Sequence, residues 1–181
     1  MKIYGIIINK IFTIATGNAL KRTILAPFVG SVFAIITSLF VIIPIKIDNA
    51  DKTPVVVIEP FNLIISLPLI IIGIFLMCWS SFYFFKMNRT PVPVNPPDRL
   101  IKSGPYAFAR NPMHSGMFIL MFGIGIYYGS LLSVLIFTPL YIFIDVLILK
   151  NIEEPELEKR LGEEYIKYKK RVPMFIPKII S

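Results

Sequence analysis

The chain has 181 residues, 55% of them hydrophobic, and a net charge of +8. A soluble domain is about 45–50% apolar, so a mean hydropathy of +0.72 with uncharged runs at Ile24 to Ile45 and Phe61 to Phe85 excludes that class and indicates an integral membrane protein. The positive balance fits loops on the cytoplasmic side of a bilayer; no basic-aromatic recognition module accompanies it, which excludes nucleic acid as a partner.

Lys2 to Thr16 is apolar but broken by Asn9 and Lys10. It lacks the continuous core and small-residue cleavage site of a signal peptide and is expected to lie along the membrane surface, with a short extra span as the alternative. Lys21 and Arg22 mark a cytoplasmic edge. The first span runs from about Leu25 to Ile45. The loop after it holds Lys46, Asp48, Asp51, Lys52 and Glu59 and is expected to face outward. The second span covers Phe61 to Phe85, with Pro68 as a plausible kink. Cys78 lies in this span, cannot form an intramolecular disulfide, and is expected as a buried small hydrophobe.

The next loop carries Lys86, Arg89, Arg99, Lys102 and Arg110 against Asp98 alone, and is therefore cytoplasmic. Its Pro91 to Pro97 run is too proline-rich for helix and should be extended. From Pro112 to Leu149 the only charge is Asp145. That is too long for one span, and Gly129-Ser130 divides it into a hairpin of about Met113 to Tyr128 and Leu131 to Leu149. The first arm is short for a crossing. In the tail, Pro155 suits the first turn of a helix, and Leu157, Leu161, Tyr165 and Tyr168 form one apolar stripe. A single amphipathic cytoplasmic helix is expected, ended by Val172 to Pro177. The fold class is thus all-α and membrane-integral: about four transmembrane helices, five if the N-terminal segment spans. The protein is expected to be multi-pass, in the cell membrane if prokaryotic, with both termini cytoplasmic, no appended soluble domain and no prenylation signal at its end.

Three groups of residues could carry chemistry. Arg110-Asn111-Pro112-Met113-His114 follows a glycine- and proline-punctuated stretch at the border of a span. Arg110 could bind an anionic group bidentately or simply anchor the span to lipid phosphates; His114, the only histidine, could be structural. Gly123 and Gly125 follow no strand and form no dinucleotide fingerprint; small residues there either let helix backbones approach or leave room for a cofactor. Glu153-Glu154 before Pro155 suits a helix N-terminus or faces ligand hydroxyls or a cationic centre. Asp145 is costly within a span, by roughly 2.5–3.5 kcal/mol, and needs a partner or a function.

Two stretches carry a family resemblance. Leu100-Ile101-Lys102-Ser103-Gly104-Pro105-Tyr106, then Arg110-Asn111-Pro112 and Gly116, resembles the Arg-His-Pro-x-Tyr region of the isoprenylcysteine carboxyl methyltransferase and phospholipid N-methyltransferase superfamily. Glu153-Glu154-Pro155-Glu156-Leu157, Leu161-Gly162-Glu163-Glu164-Tyr165, Tyr168 and Arg171-Val172-Pro173 resemble its C-terminal signature. The resemblance runs from Pro96 onward. The chain is therefore expected to be one membrane-embedded domain over 1–181: an interfacial segment at 1–22 and two spans in 23–90, read from the residues, and the cofactor loop, hairpin and tail in 91–181. The resemblance implies S-adenosylmethionine as cofactor, held by Tyr106, Asn111, Pro112, His114, Gly123, Gly125, Glu153, Glu154, Tyr165 and Tyr168, with Arg110, Glu154 and Arg171 as catalytic residues and no metal. The implied partners are the bilayer and a lipid-like or prenylated acceptor entering from it.

Asn111 stands where the family usually has His, and His114 where it has Tyr. The eukaryotic carboxyl methyltransferases carry an Arg shortly before the acidic pair, where the nearest cation here is Lys150. A carboxylate acceptor of the isoprenylcysteine type needs only an orienting cation such as Arg110 or Arg171 and is the favoured expectation. A phospholipid amine, the next, must lose a proton to Glu154, Asp145 or His114. The competing expectations are an NADPH-dependent reductase of the sterol type and a non-catalytic membrane protein that retains the pocket.

Overall fold

Asn18 starts the longest helix. Its side-chain Oδ1 accepts hydrogen bonds from the backbone N–H groups of Leu20 (2.8 Å) and Lys21 (3.4 Å), which have no partner inside the first helical turn. The computed structural model describes residues 2–53 and 57–176. Their regular elements are all helical: α1 (Lys2–Ala15), α2 (Ala19–Asp51), α3 (Phe61–Phe85), α4 (Pro112–Tyr127), α5 (Thr138–Ile148), α6 (Glu154–Leu161) and α7 (Glu163–Arg171). A 3₁₀ turn occupies Gly104–Ala107, and π turns at Ser133–Phe137 and Leu149–Glu153 flank α5. The second of these delivers the chain to Glu154; such wide turns often mark functional positions.

Among the described residues three helices are long and apolar enough to cross a membrane: Ala19–Asp51, Phe61–Phe85 and Ser133–Leu161. α4 and the segment Tyr4–Ala15 are shorter apolar helices. The described chain forms two compact units. The first combines the N-terminal residues through Val32 with Trp79–Pro112 and the chain from Asp145 on; the second combines Phe33–Cys78 with Met113–Ile144.

In the second unit helices meet backbone to backbone. A Cβ on Gly73 would lie 2.8 Å from the Gly116 carbonyl oxygen, and one on Gly116 would lie 2.8 Å from the Gly73 oxygen. Side chains are therefore excluded at both positions, and α3 and α4 approach more closely than larger residues allow. The turn after α4 places Gly129 at φ 65, which glycine adopts without steric cost. Ser130 Oγ then donates to Asp48 Oδ2 at 2.5 Å, and the same oxygen accepts from the Leu132 N–H at 2.9 Å. Thr37 and Tyr141 hydroxyls bond at 2.9 Å.

Three expectations are corrected. α2 does not stop near Ile45: it continues to Asp51, so Lys46, Asp48 and Asp51 are helical, and Asp48 is buried as the cap of the turn at Ser130. The single tail helix is two helices, because Gly162 at φ 57 breaks the run between Leu161 and Glu163. Cys78 is exposed, not buried. In a span the outer face meets hydrocarbon, which solvates an apolar thiol as well as the core does. Pro177 at the tail's end lies outside the described residues.

Candidate functional site

In the first unit the loop before α4 is joined to the tail. The backbone N–H of Arg110 donates to the Pro173 oxygen at 2.8 Å, and that of Asn111 to the Met174 oxygen at 3.0 Å. The Arg110 Nη1 donates to the carbonyls of Lys169 (2.8 Å) and Val172 (2.9 Å). These carbonyls close α7, where the last turn lacks helical partners and carries the negative end of the helix dipole, so a cation is favourable there.

The same guanidinium reaches the acidic pair. Arg110 Nη2 lies 2.5 Å from Glu154 Oε1, and Lys169 Nζ lies 2.7 Å from Glu154 Oε2. Lys169 also bridges to Glu158 Oε1 at 2.9 Å. The Arg110 and Glu154 side chains are 11% and 7% exposed, so the pair stands largely out of water, where each charge depends on the other. The Glu154 hydrogen bond, with Glu158 behind it, raises the pKa of Lys169. Arg110 Nε is buried with no hydrogen-bond partner among the described residues.

Three tyrosines complete the group. Tyr106 in the 3₁₀ turn and Tyr165 and Tyr168 on α7 are all buried. The Tyr168 hydroxyl donates to the Tyr106 carbonyl at 2.6 Å, and the Tyr165 and Tyr168 ring centroids are 6.3 Å apart. Burial pushes the Tyr168 phenol up to about 12 and raises those of Tyr106 and Tyr165 further. All three stay neutral across the physiological range. Glu153 precedes Glu154 at the end of the π turn and is half-buried. Arg171 is exposed at the end of α7.

The structure thus brings together Tyr106, Arg110, Asn111, Glu154, Tyr165 and Tyr168. Pro112, the last residue of this unit, opens α4 in the N1 position that suits proline. Three anticipated residues belong to the second unit. His114 is half-buried, its ring edge-on to Phe33 (6.3 Å) and Phe118 (6.5 Å). A Cβ on Gly123 would meet Ile70 at 2.9 Å, and one on Gly125 would meet Ser133 at 2.9 Å. The space beside both glycines is filled by neighbouring residues of the protein.

Sequence reasoning missed two contributors. Lys169 shares Glu154 with Arg110, and no local spacing announces a pair formed fifteen residues apart. Arg160 bonds Glu156 Oε1 at 2.8 Å and the Pro97 carbonyl at 2.9 Å, fixing α6 to the proline-rich loop; the Glu156-to-Arg160 spacing of four was a legible signal. α1 packs against α6, with Lys159 Nζ 2.7 Å from Asn9 Oδ1 and 4.3 Å from the Phe12 ring centroid.

A search among curated proteins gives no match. The model of a family described as phospholipid methyltransferase matches residues 61–164, more than half of the chain. The matched stretch contains α3, the Arg110 loop, α4, α5 and the acidic pair.

Proposed function

The chain belongs to the phospholipid methyltransferase family, a family of membrane methyltransferases, and from that premise we propose that it transfers a methyl group from S-adenosylmethionine to a lipid-like acceptor dissolved in the bilayer. The observation that carries the reading is the buried Glu154 carboxylate, held by Arg110 and Lys169 beside three buried tyrosines. The groups present fit this cofactor. Arg110 Nε offers an uncommitted buried N–H to a carboxylate. Glu153 and Glu154 complement an ammonium and a sulfonium, and the tyrosine rings offer flat apolar faces to an adenine. Tyr106, Asn111, Glu153, Glu154, Tyr165 and Tyr168 form the proposed binding set. Gly123, Gly125 and His114, which have protein neighbours against them, are left out of it.

When bound, the cofactor supplies an electrophilic methyl group on sulfur. Methyl transfer by displacement asks the protein for alignment and exclusion of water rather than for a strong catalyst. Arg110 does this by tying the loop to the tail: one guanidinium engages Glu154 and two carbonyls at the end of α7. In this proposal Arg110 both positions the loop against the tail and offers its Nε to the cofactor. With its Nη atoms engaged by Glu154 and the two carbonyls and its Nε assigned to the cofactor carboxylate, Arg110 is less available to an acceptor carboxylate, and this favours an amine headgroup as acceptor. The carboxylate reading keeps Arg171, exposed at the end of α7, as its cation. An amine must lose a proton, and buried Asp145 in the same unit is a proton acceptor for that step.

Calorimetric titration of the detergent-purified protein with S-adenosylhomocysteine, with NADPH in parallel, tests the cofactor. Saturable binding of the former alone, lost in Glu154→Ala and Arg110→Ala, is the expected result; binding of NADPH alone would replace the proposal with the reductase reading. Labelled-methyl transfer to aminophospholipid and to prenylcysteine acceptors then separates amine from carboxylate.

A further inference from the structure

The second unit contains an open cavity of about 550 Å³ lined by Val41, Ile42, Ile45 and Lys46 of α2, Ile70 of α3, Ile124 and Tyr127 of α4, and Tyr128 just after it. The Glu154 network plays no part in it. Its volume falls within the range of ligand sites. Five branched aliphatic side chains form the wall, and the polar groups are confined to Lys46 and the two tyrosines. No carboxylate lines it among the described residues.

Lys46 is exposed and has no ion-pair partner among the described residues. Asp48, two residues on, is buried, and its Oδ2 accepts from Ser130 and Leu132. Tyr127 and Tyr128 are exposed, their rings edge-to-face at 5.1 Å, and tyrosine is a residue of the membrane–water boundary. A cation and two phenols at one end of an aliphatic groove match one chemistry: an anionic headgroup at the boundary with its acyl chain beside the helices.

We propose that this groove is a binding site for an anionic phospholipid, its phosphate on Lys46 and the tyrosine hydroxyls and one chain against Ile42, Ile45, Ile70 and Ile124. The lipid is a bound ligand of the second unit, distinct from the methyl acceptor. Phosphatidylglycerol is the suitable probe, because it carries neither the amine nor the carboxylate that the acceptor readings require.

Thermal unfolding of the full chain in detergent tests this, with phosphatidylglycerol or phosphatidylcholine of identical acyl chains added. Phosphatidylglycerol at saturation is expected to raise the midpoint by about 5 °C more than phosphatidylcholine. Lys46→Ala should erase that difference and Lys46→Arg should keep it. Ile124→Trp, which fills the groove, should remove the response to both lipids. Equal shifts for the two lipids, a preference that survives in Lys46→Ala, or a full shift with inorganic phosphate alone would each overturn the proposal. S-adenosylhomocysteine titration of each variant shows whether the protein remains folded, independently of the lipid result.

Discussion

The two units of this protein are held together by different physics. The first relies on charge: Arg110, Glu154, Lys169 and Glu158 form a chain of ion pairs, Arg160 pairs with Glu156, and Arg89 and Arg22 converge on Asp98. The second relies on the absence of side chains, with Gly73 and Gly116 backbone to backbone and Gly123 against Ile70. Its polar contacts include Asp48 with Ser130 and Thr37 with Tyr141. The difference follows from the solvent. Lipid gives helices no hydrophobic reason to associate, so close packing must hold them. The segments carrying the first unit's ion pairs are polar and rich in charge, and there paired charges can fix loops and short helices.

The comparison can be broken most strongly at Glu154. Glu154→Ala strands the Arg110 guanidinium and should destabilise the protein by about 3 kcal/mol, the scale for breaking a buried pair. Thermal unfolding in detergent measures the loss, and Glu154→Gln should recover part of it. Gly73→Val attacks the other unit: its side chain meets backbone atoms of Gly116 and Leu120 at 2.8 Å and should cost about 2–3 kcal/mol by overpacking. Raising salt should leave that cost unchanged.

Asp48→Asn should cost about 1–2 kcal/mol, because a neutral amide holds the Ser130 hydroxyl and the Leu132 N–H less well. Faster hydrogen exchange at the Leu132 amide is the local readout. Alkaline titration separates the units more gently. Lys169 and Tyr168 both have raised pKa values, so each stabilises the fold below its ordinary pKa and ceases to do so as pH rises through the folded one. Stability should therefore hold from neutral pH to about 10 and decline toward about 12, with tyrosinate absorbance following the decline. The smallest effect is expected from 1 M salt on the Lys102–Glu164 bridge, both partners 51% exposed. Screening it should cost about 0.2–1 kcal/mol, read as the difference in salt response between the native chain and Lys102→Ala.

Much of this was legible in residue patterns. Uncharged runs located α2 and α3, Gly129-Ser130 located the turn of the hairpin, and Pro155 located the start of the first tail helix. The Arg110 loop and the acidic pair were recognisable as belonging together because both match a family signature, although forty-four residues separate them. What they do to each other was not legible. Arg110 was expected either to bind an anionic group or to anchor the span to lipid phosphates, and its guanidinium is bonded to Glu154 and to the carbonyls of Lys169 and Val172. Lys169 gave no signal, because a long-range ion pair leaves no periodicity. The apolar stripe through Tyr165 and Tyr168 was sound, but a single helix was drawn through Gly162, where glycine's tolerance of positive φ lets the chain break.

The sequence by itself determined the solvent this chain belongs to, its helical class and the order of its long helices, because hydrocarbon admits only segments that satisfy their own backbone and carry few charges. It also determined which residue types stand at the loop and tail. Only the tertiary structure decided the partnerships. Gly123 and Gly125 pack against neighbouring residues, Asp48 turned inward to cap a turn, and Glu154 became the meeting point of two cations. Each of those outcomes depends on which groups folding brings within about 3 Å of one another, a distance that no local pattern encodes.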